Sequence, residues 1–159
     1  MLLALLLAIP EFVSGANISV EIISKGRFHS ENIRNIDDPS HIEGHHSRPA
    51  TRPVLVEETD HIKPNLGAEF GFSYRIKASP EVAEVTLRRV TRFPVALTNP
   101  STGKTQSHNE TLLHLHAGAN GYAGWRFNEE WELMPGYWYI ELWNGDVLLT
   151  SQKFIVEKN

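Results

Sequence analysis

Ala68-Glu69-Phe70-Gly71-Phe72-Ser73-Tyr74-Arg75-Ile76-Lys77, residues 68–77, decides the fold. Every even position is apolar or aromatic, and every odd one is polar or glycine. Successive side chains of a strand point to opposite faces, so this period of two predicts a β-strand with one face buried. Ala68, Phe70, Phe72, Tyr74 and Ile76 are the expected core face.

The same alternation recurs on both sides. Ile18, Val20 and Ile22 follow it, as do Leu113, Leu115 and Ala117, and Trp138, Ile140 and Leu142. Shorter candidates are Val54–Glu58, Val85–Val90 and Trp125–Leu133. Asn144-Gly145 between two apolar runs predicts a type I′ hairpin, because both residues tolerate positive φ. That turn pairs Leu142 with Val147 and Ile140 with Leu149. Phe154 and Val156 then fall on the wrong face, which predicts a bulge between Thr150 and Lys153. No stretch holds a 3.6-residue period over three turns. The expected fold is therefore all-β, an immunoglobulin-like antiparallel β-sandwich of seven or eight strands, with a closed barrel as the alternative. Asn35–Pro53 holds Pro39, Pro49 and Pro53 and lacks periodicity. It is expected to be a long mobile loop at 35–53 joining the first two strands.

A chain of 159 residues suits one domain. Met1–Ala16 reads as a secretory signal peptide: Leu2–Ile9 is an apolar run, Pro10 breaks it, and Ser14-Gly15-Ala16 supplies small residues for cleavage. The run is too short to cross a bilayer of roughly 30 Å. The expected mature domain is residues 17–159, without a transmembrane segment, in the periplasm or secreted. Cysteine is absent, which removes disulfides, thiolate nucleophiles and cysteine-based metal sites. Formal charge is −4 with no basic stripe, which argues against nucleic acid as a partner. No cofactor is implied.

Three sets of residues could carry chemistry. His41, His45 and His46 sit in one segment, and His114 and His116 alternate on one strand, where both imidazoles point to the same side. The set is a candidate zinc or copper site, although His114 and His116 equally suit the solvent face opposite Leu113 and Leu115. Tyr137, Tyr139 and Trp143 fall on the face opposite Trp138, Ile140 and Leu142. A row of aromatics there could bind a carbohydrate or a protein partner, or be covered by a loop such as 35–53. Glu57, Asp60 and Glu132 are candidate carboxylates for an enzyme acting on wall polymers. No G-x-S-x-G, zincin or complete phosphate-loop pattern is present.

Glu58–Phe72, Thr91–Lys104 and Gly121–Gly145 together resemble a bacterial family catalogued as domain of unknown function 3859. The third stretch is the most specific, since its tryptophans and turn residues fall in one long pattern. The resemblance runs from about Ile18 to Val156 and implies an exported all-β domain. It brings no catalytic residues. Trp125 stands where a smaller aromatic is expected, and the His-rich segment is particular to this chain. These readings point to a non-catalytic binding or accessory module of the bacterial cell envelope. A histidine-based metal-binding periplasmic protein is the alternative.

Overall fold

The computed structural model describes residues 17–158, so the expected signal peptide at 1–16 lies outside the described residues. Its strands are β1 (Ile18–His29), β2 (Ile33–Asp37), β3 (His45–Pro49), β4 (Val54–Glu57), β5 (His61–Ile62) and β6 (Glu69–Ala78). They continue as β7 (Glu84–Thr98), β8 (Thr105–His116), β9 (Asn120–Arg126), β10 (Gly136–Asn144) and β11 (Val147–Val156). One sheet has the order β4-β1-β6-β9, the other β5-β11-β10-β7-β8, and β2 pairs only with β3. All pairings are antiparallel except the short β5–β11 contact. Among the described residues no helix is long and apolar enough to cross a membrane.

The alternation in residues 68–77 does what it predicts. Phe70, Phe72, Tyr74 and Ile76 of β6 are buried against Leu87, Trp138, Ile140, Leu142 and Phe154 of the opposite sheet. Trp138 is the hub, with Phe70, Phe93, Trp125 and Phe127 ring centroids between 5.2 and 5.9 Å away. Such tilted and edge-on pairs add about 0.5–1.5 kcal/mol each beyond burial. The indole N–H of Trp138 donates to the Met134 carbonyl at 2.9 Å, so the ring is buried without leaving its polar atom unpaired.

Local detail departs from expectation in three places. The β10–β11 turn is centred on Gly145-Asp146, with Asn144 opposite Val147 and Trp143 opposite Leu148. Gly145 alone takes positive φ, at 54°, which is the signature of a type II′ turn. The register then shifts between Leu142 and Trp143, leaving Leu149 as the extra residue. The bulge exists, but it lies beside the turn, not between Thr150 and Lys153. It still brings Phe154 and Val156 into the core.

Trp125–Leu133 is not one strand. β9 ends at Arg126, and Glu130–Glu132 form a 3-10 turn. The carboxylate of Glu132 accepts the backbone N–H groups of Asn128 and Glu129 at 2.7 and 2.8 Å, which ties the chain into a turn. In place of an irregular loop over 35–53, β2 and β3 form a hairpin, from Ile33 opposite Pro49 to Asp37 opposite His45. Its connecting residues put Ile42 wholly inside the core.

Candidate functional site

The hairpin bridges the edge where β8 of one sheet and β9 of the other come together. Beneath it lies a cavity of about 500 Å³, within the usual size for a small-ligand site. Leu113 and Leu115 of β8, Trp125 of β9 and Pro49 of β3 give it apolar walls. Arg89 reaches it from the inner face of β7. The period of two puts Val85, Leu87 and Arg89 on one side, so a guanidinium occupies a position where a core residue is expected. Arg89 is half-buried, and burial works against its charge without removing it. Its hydrogen-bond partner is the Thr111 hydroxyl, 3.3 Å from Nη2.

Two phenols face the same guanidinium. Burial raises the Tyr74 phenol to about 12, with the Arg89 charge opposing the shift. Burial also raises Tyr122, and the nearby Glu69 carboxylate adds to the effect. Glycines make room for both rings: a Cβ on Gly121 would collide with the Tyr74 ring, and one on Gly124 with the Tyr122 phenol. The Gly-Tyr-Ala-Gly run at 121–124 is thus a packing requirement of this wall.

Side chains pin the tip of the hairpin through its backbone. Asn109 Oδ1 accepts the Ile42 N–H at 3.0 Å, and Asn99 Nδ2 donates to the Ile42 carbonyl at 3.0 Å. Lys104 Nζ donates to the Pro39 and His41 carbonyls at 2.6 and 3.2 Å, and Gln106 Nε2 to the Ser40 carbonyl at 2.9 Å. His41 is buried with its ring stacked on Trp125, 5.3 Å between centroids and 8° between planes. Burial pulls its pKa down to about 3, so it is neutral at physiological pH. Glu43 and Glu132 meet behind it. Burial raises both, Glu132 to about 8 with the Glu43 carboxyl adding to its rise, while hydrogen bonds from Asn128 and Glu132 hold Glu43 down. Asn128 Nδ2 donates to Glu43 at 3.0 Å. At neutral pH Glu132 therefore keeps its proton beside Glu43.

Residues 17–156 match the model of the family described as Domain of unknown function (DUF3859). The chain belongs to that family. Among solved structures it is similar to an immunoglobulin-like protein from Pseudomonas aeruginosa, with a TM-score of 0.64 and 19% identity over 91% of this chain and 99% of that one. The DUF3859 domain therefore has an immunoglobulin-like sandwich fold. It is also similar to a β-glucosidase from Listeria innocua, with a TM-score of 0.44 and 9% identity over 91% of this chain and 16% of that one. A β-glucosidase from Kluyveromyces marxianus gives a TM-score of 0.37 and 12% identity, over 91% and 15% of the respective chains. No curated protein matches this sequence.

Of the residues singled out in this DUF3859 sequence, His41, His46 and His114 line the cavity, while the aromatic row and the carboxylates fall elsewhere. His41 is inside, His45 and His46 are half-buried on β3, and His114 and His116 are exposed on the outer face of β8. His46 Nδ1 lies 3.4 Å from Asp38, and His114 Nδ1 lies 3.2 Å from the Thr86 hydroxyl. Among the described residues, no three histidine or carboxylate side chains come together to hold a metal ion. Tyr137, Tyr139 and Trp143 do share the outer face of the second sheet. No loop covers Tyr137, which is 55% exposed. Cations flank the row: Lys153 lies 5.0 Å from the Tyr137 ring centroid and Arg88 lies 5.4 Å from that of Trp143. The Trp143 indole donates to Glu141 at 2.8 Å, and Arg92 donates to the same carboxylate at 3.0 Å. The hairpin at 35–53 lies elsewhere, over the cavity.

Glu57 pairs with Arg27 on the exposed β1–β4 edge, Asp60 is half-buried before β5, and Glu132 is buried under the hairpin. They do not form a shared carboxylate cleft. Sequence reasoning passed over Arg89, Tyr122, Asn109 and Glu43. Only Arg89 leaves a readable mark, as a charge on the core parity of an otherwise apolar strand.

Proposed function

We propose that the chain is a non-catalytic binding or accessory module of the bacterial cell envelope, exported by the segment at 1–16. Its receptor site is the cavity under the β2–β3 hairpin. The observation that carries this reading is the cavity itself, about 500 Å³ with apolar walls and the half-buried Arg89 guanidinium among three that line it. Supporting it, the titratable groups at the wall are engaged with one another: His41 with Asn109, and Glu43 with Asn128 and Glu132. Membership of a family described as a domain of unknown function, and an immunoglobulin-like neighbour, fit a binding module as well.

Native mass spectrometry of the protein purified from the envelope of its own host tests the reading. The expected result is a small-molecule adduct that is lost on denaturation. Thr51 is an exposed residue at the rim, so Thr51→Trp should narrow the mouth and remove the adduct while the fold persists. A bare mass for the natively purified parent would overturn the proposal.

A further inference from the structure

Resting on that reading, we propose that the cavity takes a small carboxylate, its charged group on Arg89 and its body against Leu113, Leu115 and Trp125. A guanidinium carries five N–H donors in a planar fork. Among the described residues Arg89 uses one hydrogen-bond partner, the neutral Thr111 hydroxyl, and has no carboxylate within 4.0 Å. Arginines drawn between two sheets are ordinarily paired, because removing an uncompensated charge from water is costly. This one is left open toward the cavity under the hairpin.

The other charged groups facing that space do not supply the missing anion. One oxygen of the Glu69 carboxylate accepts from the Ser30 hydroxyl at 2.8 Å, and the other, buried without a hydrogen-bond partner, lies 3.8 Å from Arg126 Nη1. Glu43 accepts from Asn128 Nδ2 at 3.0 Å and packs against Glu132. His41 is neutral, His46 leans on Asp38, His114 contacts Thr86, and Arg48 adds a further positive charge. The balance around the cavity is cationic, and a planar carboxylate is the group a guanidinium binds in two-pronged fashion. The body of the ligand then meets apolar side chains on one side and the Trp125–His41 stack on the other.

Calorimetric titration with two matched pairs tests the assignment: octanoate against octanamide, and galacturonate against galactose. The acid of one pair should bind at least about tenfold more tightly than its neutral partner, the scale of a charge-assisted contact. Which pair responds distinguishes an acyl chain from a sugar acid. Arg89→Met should abolish the preference for the acid, and Arg89→Lys should retain part of it. Equal binding of acid and neutral partner by the parent would overturn the Arg89 assignment while leaving the cavity as a binding site. If none of the four probes binds, the carboxylate assignment fails; a bare mass from the host-purified protein would then remove the binding reading as well.

Discussion

Nδ2 of Asn109 lies 2.9 Å from Nε2 of His41, so a side-chain amide holds the buried imidazole in place. Asn109 Oδ1 already accepts the Ile42 N–H, so its amide can only donate to the ring. Nε2 therefore accepts, and the Glu43 backbone N–H is directed at Nδ1 from 3.4 Å. Nδ1 faces the Glu43 carboxyl at 3.7 Å. Asn109, His41, Glu43 and Glu132 form one polar line beneath the hairpin, with both ends of its proton inventory set by burial.

Stability should therefore fall as pH rises from 6.5 to 8. Glu132 titrates from 4.5 in the unfolded chain to about 8 in the folded one. Its stabilising effect is complete below the unfolded value and is lost as pH climbs to the folded value. His41 acts in the opposite sense, its contribution lost as pH falls from 6.5 toward about 3. The two windows overlap below 6.5, so the range above it isolates the carboxyl pair. Glu132→Gln keeps an oxygen for the two backbone N–H groups and offers Glu43 a permanent donor. Urea midpoints measured from pH 6.5 to 8 should decline for the parent and stay nearly level for the variant. A parent midpoint that rises over this range would contradict a protonated Glu132.

Ile42→Ala should destabilise the domain by about 2–5 kcal/mol, the range for emptying a buried aliphatic site. Lys104→Ala removes exposed bonds to two carbonyls and should cost no more than about 1 kcal/mol. Denaturant unfolding separates the two. Similar values for both would mean that the tip is held by its polar contacts and not by its apolar anchor.

Trp143→Ser should lower stability by about 1–2 kcal/mol, combining lost cation–π attraction to Arg88 with lost half-burial. Binding of any ligand in the cavity should be unchanged, because the row and the cavity lie on opposite faces of the second sheet. Thermal unfolding and calorimetry check both parts. A stable Trp143→Ser protein that has lost its ligand would move the binding site to the aromatic row.

The exported form should begin at or near Asn17. N-terminal sequencing of protein recovered from the host envelope checks this, and an intact Met1 on cytoplasmic protein would remove the export proposal.

Legibility of this fold in sequence follows from where one face is buried and the other is not. Phe70 through Ile76 stand between the sheets while Arg75 and Lys77 meet water, and hydropathy records the contrast. β2 and β3 leave no such mark, since both faces stay half-exposed or exposed along most of their length. β4 reads as a candidate strand, yet its residues are all exposed at a sheet edge. The β10–β11 turn was misplaced by one residue because Asn144 and Gly145 both suit positive φ, and the choice between them is made by pairing, not by composition. Glu43 and Glu132 are far apart in sequence and look like solvated acids. Their meeting is set by how the hairpin folds back, which no local pattern records. Arg89 was available to a parity argument that the strand candidate Val85–Val90 already contained.

Lys104, Gln106, Asn99 and Asn109 all hold the tip of the hairpin by main-chain groups. Every chain has those groups whatever its side chains are. Apart from His41, Ile42 and Glu43, whose side chains are buried and engaged, the residues at the tip are therefore free to vary without loosening their seat. Loops on a rigid sandwich are where recognition diversifies, and this one can be rewritten letter by letter. Grafting different residues at 39 and 40 onto the same four anchors should yield a folded protein, which makes the domain a scaffold for selecting binders.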